Sequence, residues 1–280
     1  MKNKKYKLDK TDTISVEGHK LYRIISLVDM AFVLKGEKGG YIEKKSNLSQ
    51  EGNAWVGDSA CVFGNAYISG DAYIFGYAQI YDDAQVYGYA KVYGSARVYG
   101  RAQVYGSTKV YDDAWIYGNA IVRCNAKVYH NTLVFGSSYV YGDAQIFGNA
   151  RVYGNACVYE RAKVFGYTKV YGNAEVCGNA QLCGYGVLNV SGNAIFCDEV
   201  NVSRNEDYFC VQSFGHIGRT TTFFRTKKGW LVVCGCFKGT VEQFREAIVK
   251  THGDSFIAQE YLTIADLAEL RIKRRRQPHQ

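Results

Sequence analysis

The passage with the most pronounced chemical character is Gly215, His216, Gly218, Arg219, Thr220, Thr221 and Thr222, followed closely by Arg225, Lys227 and Lys228. Glycine lets a ligand approach backbone amides, threonine hydroxyls donate to phosphate oxygens, and arginine can grip an oxyanion with two parallel N–H groups. A phosphate-bearing ligand would suit such a set, although the spacing matches no established phosphate loop and an ordinary polar hairpin uses the same residues. Further on, Arg271, Lys273, Arg274, Arg275 and Arg276 end the chain in a basic run. Such a run is either solvated or touches nucleic acid or phosphates in a neighbouring subunit. Cys234 and Cys236 are two apart in an expected strand and so share a face, where they read as small apolar side chains that could bind a metal only with ligands from elsewhere. No metal, cofactor or catalytic residue is assigned.

The element that must position these residues is a repeat. From Ala54 to Ala180 a small residue recurs at every sixth position, giving 22 consecutive hexads that end at Tyr185. The small residue is Ala except at Thr108, Thr132, Ser138 and Thr168, and two places after it stands Val, Ile or Leu without exception. Alternate side chains of a strand share a face, so these two positions point inward and their neighbours outward. Each hexad closes on pairs such as Gly-Asn or Asp-Asp, which tolerate positive φ and turn the chain sharply. Three hexads make one triangular turn, and turns stack at about 4.8 Å.

Outward positions therefore form columns eighteen residues apart. One holds Trp55, Tyr73, Lys91, Lys109, Lys127, Gln145, Lys163 and Gln181, beside an aromatic column of Phe75, Tyr93, Tyr111, Tyr129, Phe147 and Phe165. The aromatics either stack on one another to stabilise successive turns, offer faces to bases or sugars, or mediate self-association. Trp115, Ile121, Leu133 and Tyr139 are expected to form a second apolar patch.

This pattern resembles the left-handed hexapeptide-repeat β-helix of acyltransferases and of non-catalytic bacterial and phage relatives. The resemblance implies the fold; it carries activity weakly, because the repeat serves the core. Hexapeptide acyltransferases need a histidine base and a protruding loop, whereas no loop interrupts these hexads and their one histidine, His130, sits at a corner. Related β-helical carbonic anhydrases hold zinc with three histidines. The passage from Gly39 to Val56 resembles the start of phage-type repeat proteins, and Gly215–Arg219, Thr220–Thr226, Cys234–Phe237 and Thr251–Asp254 resemble a module that recurs in phage-associated proteins.

The expected architecture is mainly β: an N-terminal cap over 1–53, a left-handed parallel β-helix over 54–190, a linker or coil end over 191–206, and a small α+β module over 207–280. Lys38-Gly39-Gly40 reads as a turn, and Thr240 with Gln243 as a capping box that opens a helix ending at Gly253. No stretch has the length of a signal peptide or membrane span, and nine scattered cysteines, Cys177 and Cys183 among them, fit inert thiols in a reducing cytoplasm. The formal charge of +8 points to an anionic partner.

The function expected from all this is non-enzymatic. A trimeric or other homo-oligomeric coil would array C-terminal modules that bind a phosphate-bearing, nucleotide-like ligand or an anionic macromolecule. In a phage setting it would sequester a host nucleotide signal as a counter-defence protein. Two rivals stand beside this reading: an acyltransferase with an atypical inter-subunit site, and a structural assembly protein.

Overall fold

The structure, a computed structural model, describes residues 4–197, 200–214, 219–226 and 229–274. It is mainly β, a parallel β-solenoid of about nine turns with a small C-terminal sheet-and-helix part. In most hexads the aliphatic residue and the one before it form a two-residue strand, while Lys163–Val170 and Gln181–Val190 run on as longer strands. Lys91–Val92, for example, pairs in parallel with Tyr73–Ile74 on one side and Lys109–Val110 on the other.

The Ala and Val, Ile or Leu positions fill the triangular interior with no solvent exposure from Ala54 to Leu182. A buried hydroxyl needs a partner, and each residue that replaces Ala finds one locally. Thr108 donates to the Tyr105 carbonyl at 2.7 Å, Thr132 to Tyr129 at 2.7 Å, Ser138 to Phe135 at 2.9 Å and Thr168 to Phe165 at 2.7 Å. At the corners, Asp58, Asp82 and Asp112 stand in the left-handed region, with φ of 50°, 56° and 57°, where most other corners use glycine. Their carboxylates accept the backbone N–H one turn further on, from Gly76, Gly100 and His130. These short acceptors make up for a backbone conformation that disfavours side chains.

At the N-terminus, β1 (Tyr6–Val16) and β2 (His19–Ser26) form an antiparallel hairpin, and β3 (Lys38–Ile42) adds to β2 before entering the coil. The expected turn at Lys38-Gly39-Gly40 is instead part of β3, whose Tyr41–Ile42 pairs in parallel with Cys61–Val62. The glycines serve close approach: a Cβ on Gly40 would lie 2.5 Å from the Ala60 carbonyl oxygen. Side chains of this cap donate to first-turn carbonyls that no earlier turn can reach. Arg23 donates to Asp58 O at 2.8 Å and Asn47 to Ala66 O at 2.9 Å.

The coil also runs further than its unbroken hexads. Residues Gly184–Val187 bulge outward, leaving Tyr185 largely exposed, and the turn takes two extra residues, so that Glu175 pairs with Ile195 and Gln181 with Asn201. The segment 191–206, expected as a linker or coil end, thus contains the last two coil strands, Ile195–Phe196 and Asn201–Val202. The same shift sets Cys197 over Cys177, with Cα atoms 4.5 Å apart and the sulfurs joined as a disulfide, so Cys177 is not the free inert thiol expected.

The C-terminal module closes this end. Its antiparallel sheet runs Tyr208–Phe214, Arg219–Thr226, Gly229–Cys234 and Phe237–Thr240. Alternation along these strands gives it two faces. Phe224 and Val233 pack on the coil core, while Phe223, Val232 and Cys234 pack under helices α1 (Val241–His252) and α2 (Phe256–Arg274). Thr240 and Gln243 form the expected capping box, and Gly253 ends α1.

Candidate functional site

The glycine, hydroxyl and arginine passage is divided between several structural duties. Thr222, which is buried, accepts the Ile195 N–H at 3.2 Å and so fastens the module to the last turn. Thr221, buried on the helix side, donates to the Cys234 sulfur at 3.1 Å. The Arg225 guanidinium stands 3.8 Å from the Asp207 carboxylate. Thr220 is half-buried in the same strand. His216, Lys227 and Lys228 lie outside the described residues, as does the side chain of Arg219. Of the basic tail, Arg271 covers the Phe209 ring at 4.6 Å. The side chains of Lys273 and Arg274, and all of Arg275 and Arg276, fall outside the description.

Cys234 and Cys236 do not share a face. Gly235, at φ 58°, and Cys236 make a second hairpin turn, which leaves Cys234 buried and Cys236 exposed. Among the described residues no three His, Cys, Asp or Glu side chains converge as metal ligands would. His130 occupies a corner at φ 58°, its ring Nε2 3.7 Å from Asp112 and edge-on to Tyr129. Nor do the four outward apolar residues make one patch. Trp115 stacks with Leu133 on one face and Ile121 with Tyr139 on the next, with a corner between.

The outward columns are the better-formed feature. Tyr93, Tyr111 and Tyr129 stack at ring-centroid distances of 4.9 and 4.8 Å, with interplanar angles of 2°. The ladder continues through Phe147 to Phe165 at 5.0 and 4.7 Å. Each ring covers its neighbour's face, so the ladder offers only edges and hydroxyls to the outside. Base stacking on it is blocked, and the rings instead bind turn to turn. Burial, the first cause, together with the neighbouring tyrosines pushes the Tyr111 hydroxyl up to about 12.

Beside this ladder runs the lysine column. Lys91, Lys109 and Lys127 occupy successive strands in register, exposed, with no ion pair to any described residue. Lys163 continues the column beyond Gln145. Cations stacked at about 4.8 Å repel one another, so an unpaired column carries a standing attraction for negative charge. Two depressions lie along the same edge. One, about 400 Å³, is lined by Asp143, Gln145, Arg161, Lys163, Asn179 and Gln181. The other, about 410 Å³, lies at the N-terminal end, where residues Met30 to Val33 overhang Trp55, Tyr73 and Lys91. Column arithmetic places Trp55, Tyr73 and the lysines together; the overhanging Phe32 leaves no such mark, because its loop lies outside the repeat.

Residues 144–160 match the family described as YdcK Beta solenoid repeat. This stretch holds three successive strands, Gln145–Ile146, Arg151–Val152 and Cys157–Val158, about one turn of the coil, and agrees with the solenoid fold. No curated protein matches the chain. Among the described residues no helix is long and apolar enough to cross a membrane.

Proposed function

We propose that the protein is a non-enzymatic binding protein that holds a phosphate-bearing, anionic partner along the lysine face of its coil. The observation that carries this reading is the in-register column Lys91, Lys109 and Lys127, exposed and without acidic partners among the described residues. A rigid rod spaces these charges regularly, so a linear polyanion can meet several of them without the rod having to reorganise. Phosphate contacts of this kind supply affinity without reading sequence. The C-terminal module then acts chiefly as the cap that closes the coil, since Thr221, Thr222 and Arg225 are engaged within it.

The test is the salt dependence of binding to a labelled single-stranded oligonucleotide. Each phosphate neutralised contributes about −0.7 to the slope of log K against log salt, so three lysine contacts give a slope of about −2. A slope of zero, or no binding at low salt, would remove the reading.

A further inference from the structure

The N-terminal depression differs from the rest of the lysine face in one respect: its rings have open faces. Met30 and Val33 pair across a tight turn, and Val33 is buried in the coil core, which anchors the loop and leaves Phe32 at its tip 79% exposed. Across the groove stands Tyr89, 67% exposed at a corner. Neither ring stacks on another among the described residues, in contrast to the ladder rings. The buried Trp55 and the half-buried Tyr73 form the floor. Asp71, whose Oδ1 accepts the Asn53 side-chain amide at 2.7 Å, supplies a carboxylate at one side. Lys91 lines the end from which Lys109 and Lys127 continue.

The groove therefore joins two aromatic walls to the start of a cationic track. A ligand that fills both must carry a planar ring next to a run of negative charges. We infer that this groove takes one nucleobase of a single-stranded nucleic acid between Phe32 and Tyr89, with the adjoining phosphates laid along Lys91, Lys109 and Lys127. Asp71 accepts N–H donors from the base edge. Single-strand binders pair such a basic track with stacking platforms, and here the platform is confined to one site because the ladder rings cover each other. This inference rests on the phosphate-binding reading above.

The experiment compares an oligodeoxyadenylate with an abasic strand of the same length, which carries the same phosphates and no bases. Stacking of one base adds about 1–3 kcal/mol, or roughly five- to 150-fold in affinity. The intact strand is expected to bind more tightly by that factor. An otherwise abasic strand with a single base is expected to recover most of it. Phe32→Ala and Tyr89→Ala should each bring the intact strand to the abasic level while leaving abasic affinity and Tm unchanged. Equal affinity of intact and abasic strands in the unmodified protein would overturn the groove and leave the lysine face standing. A base preference that survives both substitutions would also overturn the groove. Binding of neither strand would overturn both readings.

Discussion

The Lys5 ammonium donates to the Ala54 carbonyl at 2.8 Å. From the second turn on, the Ala carbonyl accepts a backbone N–H from the turn before it, as Ala72 accepts from Trp55. Ala54 stands in the first such hexad, so a side chain from the cap takes the place of the missing amide. A sheet edge with unpaired carbonyls is a site for unwanted pairing, and Lys5, with Arg23 and Asn47, covers this one.

Lys5→Met keeps the apolar stem and deletes the donor. Leaving a buried carbonyl without a partner costs about 1–3 kcal/mol, seen as a lower denaturant midpoint. Burial, against the pull of Asp71, brings the Lys5 pKa down to about 8 from 10.5. Between those values the unfolded chain binds more proton than the folded one, so stability due to this group rises with pH across that window. The wild-type advantage over Lys5→Met should therefore widen from about pH 8 to about pH 10.5, and a constant gap would contradict the assignment.

The stacked tyrosines predict an alkaline limit. Burial, first among the causes, raises Tyr81, Tyr111 and Tyr159 to about 12. Their folded pKa lies above the unfolded value of about 10, so the stability they contribute is intact below pH 10 and is lost as pH rises towards 12. Tyrosinate absorbance should appear later in native protein than in denaturant, and unfolding should follow within that window. Identical titrations would mean that the rings are not stacked in solution.

Gly40 tests the close approach of β3 to the coil. Its added Cβ would meet the backbone oxygen of Ala60 at 2.5 Å, which has no room to yield. Gly40→Ala should cost about 1–3 kcal/mol through overpacking, whereas Gly18→Ala, with open space around the position, should suffer only from its φ of 86°. Thermal unfolding of the two variants decides the order; an unaffected Gly40→Ala would show that β3 does not lie on the first turn.

The periodicity of Ala54 to Leu182 was enough to read the coil, its inward residues and its columns, because in a solenoid sequence spacing is spatial spacing. What lay outside the period was misread for local reasons. Gly39 and Gly40 carry a turn signature but are glycines because Trp55, Val56 and Ala60 press on them. Gly184–Val187 break the hexad without ending the stack, since a bulge lets the strands resume two residues late. Thr221, Thr222 and Arg225 have the composition of a ligand site, yet their partners Cys234, Ile195 and Asp207 come from contacts that no local motif announces. The lysine column was legible in the sequence, while its closing groove needed the position of Phe32.

The central claim is that the lysine face holds the partner, and the most direct test is charge reversal at Lys91, Lys109 and Lys127 together, against a control that reverses the exposed Lys7, Lys10 and Lys250. Both variants change net charge equally, so any difference belongs to the face. The account predicts that the first loses oligonucleotide binding at least tenfold, with Tm little changed because reversal leaves three like charges stacked in register, and that the control loses little. Equal losses in the two variants would contradict it, since attraction would then follow the net charge of the chain and not the column.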